Sequence, residues 1–269
     1  MSAGSVSVLP GSGPTRCNNG TSSSLLSPTI SDRAMLYGAS LKTADATLLA
    51  SRLYGYNRLP TALTEWSQNT AAHYYLGVAD SRRSPQMWRR ERDEDRKDWI
   101  SWRHRYRQSK RREMFKLYLC ILPGDLPRVL GDCLEILGNT GSHFVKIGSD
   151  RASLSRPDKF VAYFDSKEDL DGSVAALDIL LAGLDPHELP FAAMLPNPVL
   201  AWGIDPDRKR IGSEQRSWRT WVVEKVTQAL CAAHKSTQDP NEAVSFAHRC
   251  LAEAGLDPQT MTPRSVTFE

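Results

Sequence analysis

The run over residues 115–121 most constrains the fold. Phe115, Leu117, Leu119 and Ile121 alternate with Lys116, Tyr118 and Cys120, and Pro123 with Gly124 stop the pattern. A period of two places the four apolar side chains on one face of a strand and sets Lys116 and Tyr118 on the other. The next residues change period: Leu126, Val129, Leu130, Cys133, Leu134 and Leu137 fall on one helical stripe before the exit GNTG. HFVKIG and KFVAYF then read as short strands. Strand, helix, strand, strand predicts an α+β chain, a mixed sheet flanked by helices, as one large domain or two closely packed lobes.

The flanks extend this reading. Leu48, Leu49, Leu53 and Tyr54 sit at helical spacing, as do Leu63, Trp66, Thr70, His73 and Tyr74. Residues 171–186 supply another amphipathic helix through Val174, Leu177, Leu180, Leu181 and Leu184, closed by Asp185 and Pro186. Two final helices carry Trp218, Trp221, Val222, Val226 and Leu230, and Val244, Ala247 and Leu251. Between them Pro190, Pro196, Pro198 and Pro206 bound extended pieces, predicted as edge strands or a surface-crossing loop. The expected organisation is a disordered leader over 1–30, a mainly helical front lobe with a charged insert over 31–108, an α+β core with C-terminal helices over 109–258, and a polar tail over 259–269.

Charge is unevenly spread. Residues 88–112 hold 11 Lys or Arg against 5 Asp or Glu, whereas the whole chain carries a formal +3. The first half of this block predicts a solvated helix or a loop. From Trp99 onward, Trp102, His104 and Tyr106 alternate with Arg103, Arg105 and Arg107, as in a strand with one cationic face. Such a face suits an anionic partner if the charges converge. Arginine with aromatics also suits a nucleic-acid backbone, but no nucleic-acid-binding motif is present and the neighbouring acids oppose phosphate, so that class is disfavoured.

Five cysteines without CxxC spacing argue against disulfides and for a reducing, cytoplasmic setting. No apolar run reads as a signal sequence or membrane anchor. HExxH, paired CxxC, the phosphate loop, the nucleophile elbow and GxGxxG are all missing, so no metal or cofactor is expected. His187, between Asp185 and Glu188, reads as part of a surface turn.

The remaining chemistry lies in bases and hydroxyls. Lys146, between Val145 and Ile147, either snorkels from a half-buried strand or acts as a proton acceptor of lowered pKa. Arg151 and Arg156 bracket a Ser- and Asp-rich turn, with Lys159 three residues on. Their charges suit a phosphate, or they pair with Asp150, Asp158 and Asp165.

The succession NTAAHYYLG, FKLYLCILPGDLPRVLGDCLEIL, HFVKIGSDRASLSRPDKFVAYF, LPFAAML and LAWGIDP resembles the HopA-type secreted-effector family over residues 31–230. That family includes plant-pathogen effectors and stand-alone proteins of lanthipeptide- and thioamitide-like ribosomal-peptide clusters. Its lysine, and its arginine before an Asp, fall here on Lys146, Arg156 and Asp158. The resemblance implies a phosphoserine/phosphothreonine lyase: a kinase-like phosphotransferase phosphorylates a leader-bearing precursor peptide, and the lyase eliminates phosphate to leave a dehydroamino acid. β-Elimination needs a base, help for the departing phosphate, and positive charge. The implied base is Lys146, with Lys116 competing. His104 or His143 is the acid, Tyr163 an orienting hydroxyl, and Arg103, Arg105, Arg151, Arg156 and Lys159 hold phosphate. The family also contains binding proteins, so a non-catalytic peptide- or kinase-binding partner is the alternative.

Overall fold

Alternation in the apolar runs builds a seven-stranded sheet with helices on both faces. The computed structural model describes residues 28–60, 86–91, 98–109, 115–206 and 217–264. The strands are β1 (Trp88–Glu91), β2 (Trp99–His104), β3 (Phe115–Leu119), β4 (Phe144–Gly148), β5 (Phe160–Phe164), β6 (Ala193–Met194) and β7 (Leu200–Ile204). The helices are α1 (Ile30–Ser40), α2 (Ala46–Tyr54), α3 (Leu126–Asn139), α4 (Arg151–Leu154), α5 (Lys167–Leu180), α6 (Trp218–Ala233) and α7 (Pro240–Glu253). None is long and apolar enough to cross a membrane.

The spatial order is β1-β2-β4-β5-β3-β7-β6, and every pairing among the described residues is antiparallel. The α+β class is thus as expected, while the mixed sheet is corrected to an antiparallel one. The sheet draws strands from both sides of Ser109. Two other expectations change. Trp88–Glu91 in the charged block is a strand, because Trp88 is buried and its indole Nε1 donates to the Leu134 carbonyl of α3 at 2.9 Å. In the proline-rich stretch β7 is internal, since the two-residue β6 covers its outer side. The helical stripe at residues 63–74 lies outside the described residues.

The two faces are distinguished at β7. Lys167, opening α5, lies over the Trp202 ring at 4.9 Å. On the other face a Cβ at Gly203 would come within 2.3 Å of Trp218, which opens α6, so only glycine admits this approach. Helices α3 and α5 bury the alternate positions Ile100, Trp102, Leu117, Val145, Ile147 and Ala162. We call this the core face. The second face receives α6, to which α1, α2 and α7 pack, and the segment 186–194, whose Leu189 and Ala192 cover Tyr118, Val161 and Ala201. Side-chain caps from Thr29, Asp45, Ser166, Ser217 and Asp239 satisfy orphan N–H groups at five helix starts. Each is worth about 1 kcal/mol.

Candidate functional site

Register decides which polar residues meet. Arg103, Phe144, Tyr163, Lys116 and Gly203 form one cross-strand row, and Ser101, Lys146, Val161, Tyr118 and Ala201 the next. Directly opposed residues project to one side of a sheet, so Lys116, Lys146, Tyr163 and Arg103 share the second face. Both lysine ammonium groups lie near the Tyr163 ring, Lys116 Nζ at 5.2 Å and Lys146 Nζ at 5.8 Å.

Lys116 is buried in a central strand and is made tolerable there by Asp205, just past β7. Its Nζ lies 2.6 Å from Asp205 Oδ2, and the other carboxylate oxygen accepts the Trp218 N–H at 2.9 Å. The start of α6 thereby fixes the orientation of Lys116. Beside it, burial holds the Tyr118 hydroxyl well above the usual phenol range, reinforced by Asp205.

A second buried pair lies under the same face. Asp158 accepts from Arg156 through Nε at 2.9 Å and Nη2 at 3.0 Å, from Arg219 Nη1 at 2.7 Å, and from the Tyr54 hydroxyl at 3.1 Å. Arg219 also donates to the carbonyls of Pro190 and Tyr54 and stacks on the Tyr54 ring. Burial would raise the Asp158 carboxyl, but the Arg219 and Arg156 guanidiniums outweigh it and hold it far below the usual carboxylate range. Trp99 joins this group to Lys146: the Lys146 ammonium lies 4.2 Å and the Arg156 guanidinium 5.1 Å from its ring. Among the described residues, Asp158 is shared by Arg156 and Arg219, and Asp205 pairs with Lys116.

The other expected residues lie elsewhere. His104 alternates with Arg103 and falls on the core face, against Trp88 at 5.4 Å and Tyr106 at 6.1 Å. Burial, then Arg107, lowers its pKa. His143 precedes β4 out of phase with Phe144 and Lys146; its Nδ1 is 3.6 Å from Asp165, and burial lowers its pKa. Arg103 stays on the site face but is paired with Glu91. Arg105 is exposed beyond the end of β2, and Arg151 opens the short α4.

Lys159 is fully buried and cannot meet a phosphate at the surface. Its Nζ donates to the Ile121 carbonyl at 2.6 Å and to His187 Nδ1 at 2.8 Å. Burial lowers its pKa to about 7. His187, expected in a surface turn, is buried because segment 186–194 folds over the sheet. Its Nε2 donates to the Asn57 carbonyl at 2.7 Å. Burial, then Lys159, lowers its pKa to about 4.

Sequence reasoning missed Tyr54, Asp205 and Arg219. The one local signal was an arginine lodged among the apolar and aromatic positions of a helix stripe, Arg219 between Trp218 and Trp221.

No known family model matches the sequence, and no curated protein matches it. Among solved structures, the fold matches the effector protein from Pseudomonas syringae pv. tomato strain DC3000 at 10% identity and TM-score 0.56, covering 87% of this chain and 96% of that one. An effector protein from Pseudomonas syringae pv. syringae strain 61 matches at 11% identity and TM-score 0.50, over 87% and 98%. A looser likeness, TM-score 0.37 at 16% identity over 58% and 89%, is to the type III effector/phosphothreonine lyase OspF from Shigella flexneri. The chain thus shares its fold with the two Pseudomonas syringae effector proteins.

Proposed function

We propose that the chain is a phosphoserine/phosphothreonine lyase acting on a phosphorylated peptide. The observation that carries this reading is the convergence of Lys116, Lys146 and Arg156 around Trp99 and Tyr163 on one sheet face. A phosphomonoester carries nearly two negative charges at neutral pH, which the ammonium and guanidinium groups of the cluster complement. In this reading Lys116, which pairs with Asp205, and Arg156, which pairs with Asp158, hold the phosphoryl oxygens.

Lys146, once it has given up its own ammonium proton, takes the α-proton, the carbon–carbon double bond forms, and the Cβ–O bond breaks with its electron pair leaving on phosphate. Trp99 and Tyr163 flank the Lys146 Nζ and set its position. Cations stabilise the departing phosphate in place of a histidine acid, because His104 and His143 lie outside the cluster. The proposed substrate is a leader-bearing precursor peptide phosphorylated by a kinase-like partner, and the product is its dehydroamino acid.

No described imidazole joins this cluster, which also favours a second reading, phosphopeptide binding without turnover. Intact mass spectrometry separates the two. Wild type incubated with a phosphoserine or phosphothreonine peptide should yield a product lighter by one phosphoric acid, and Lys146→Ala should not. Unchanged phosphopeptide with wild type, with and without the kinase, would reject the lyase reading.

A further inference from the structure

Beside the cationic cluster a groove of about 500 Å³ runs between α1 and α2. Its walls include Tyr37, Leu48, Ser51, Arg52, Tyr56 and Arg58, and none of the described residues lining it is acidic. The Tyr37 and Tyr56 rings lie 5.4 Å apart, and Leu48 is 46% exposed although it is a leucine in a helix. Arg52 and Arg58 are exposed and form no ion pair among the described residues, whereas Arg33, Arg128 and Lys167, also at the surface, each pair with an acid. The groove therefore offers two unpaired positive charges beside apolar and aromatic surface.

Its position connects it to the site. Tyr54 reaches Asp158 through its hydroxyl, and the next four residues, 55–58, form the groove wall. The Leu59 N–H then donates to the Ser155 carbonyl at 2.9 Å, one residue before Arg156.

We propose that this groove binds an acidic segment of the peptide substrate, so that the preferred substrates carry Asp or Glu residues flanking the phosphorylated one; the inference rests on the cluster receiving a phosphorylated residue of a peptide. Charge complementarity selects the occupant. Tyr37, Tyr56 and Leu48 accommodate the aliphatic parts of the same segment, and the arginines pair with carboxylates bidentately. A nucleic-acid strand would place continuous phosphate charge along the groove and is the occupant to be tested against.

The test uses the full chain and a fluorescein-labelled, unphosphorylated peptide rich in Glu and Asp. A peptide with Gln and Asn in their place and a single-stranded oligonucleotide of equal charge serve as comparisons. Fluorescence anisotropy should show binding of the acidic peptide alone, weakened at least about tenfold in Arg52→Glu/Arg58→Glu. With a phosphorylated acidic peptide the same variant should raise KM and leave kcat unchanged. Equal binding by variant and wild type, or an oligonucleotide bound as tightly through the same arginines, would overturn the proposal. Peptide binding that depends on Arg52 and Arg58 without phosphate release would keep the groove and reject the lyase.

Discussion

Asp158→Asn is predicted to be among the most damaging single substitutions away from the apolar core. It preserves shape and removes the one charge against which Arg219 is buried. The Arg219 side chain is 1% exposed and that of Asp158 7%, so neither is relieved by water. Leaving a buried ion without its partner costs about 3–5 kcal/mol, a large part of the roughly 5–15 kcal/mol that holds a domain together. Arg156, 17% exposed, can turn toward solvent and adds little. The sign with pH follows from the depressed Asp158 pKa. Its stabilisation is complete above the unfolded value near about 4 and is lost as pH falls through the folded value. Urea unfolding followed by tryptophan fluorescence should show a wild-type advantage that is constant from neutral pH to about pH 5 and narrows below about 4. The double variant Asp158→Leu/Arg219→Met should cost less than Asp158→Asn alone, because it leaves only the partly exposed Arg156, and no fully buried charge, without its partner. A cost for Asp158→Asn below about 1 kcal/mol, or strict additivity in the double variant, would show that Arg219 does not depend on Asp158 for its burial.

Three further outcomes follow. Gly203→Ala should destabilise by about 1–3 kcal/mol, read as a lower Tm, since its Cβ would sit 2.3 Å from the Trp218 ring; an unchanged Tm would contradict that packing. His187 has a folded pKa near 4, below the unfolded value, so its contribution is full above about pH 6.5 and is lost as pH falls toward 4, by at most about 1.4 kcal/mol per pH unit. His187→Gln should flatten that slope in urea titrations at pH 7 and pH 5, and an unaltered slope would count against the buried pair. Burial pushes the Cys120 thiol up to about 12, so under native conditions iodoacetamide should spare it until urea unfolds the chain, and rapid native labelling at Cys120 would exclude its buried position.

Periodicity made the strand at Phe115 and the helix after it legible, because each pattern has a short-range cause. Lys116 and Tyr118 were correctly set apart from the apolar face for the same reason. Whether His104 joins Lys146 depends on register between β2 and β4, which spacing within either strand does not encode. Ile100 pairs with Ile147 and Ser101 with Lys146, and that parity puts His104 on the core face. Lys159 and His187 look solvent-bound in sequence; they are buried because residues 186–194 cross the sheet and each supplies the other's hydrogen bond. Arg219 was hidden for a related reason, since its partner Asp158 lies 61 residues away.

Elimination on the sheet face carrying Lys146, and not on the face carrying His104, is what the proposed function requires. Intact mass spectrometry of one phosphothreonine peptide treated with wild type, Lys146→Ala and His104→Gln tests it most directly. Loss of one phosphoric acid is predicted with wild type and His104→Gln and not with Lys146→Ala. Loss that persists in Lys146→Ala, or fails in a folded His104→Gln, would contradict it.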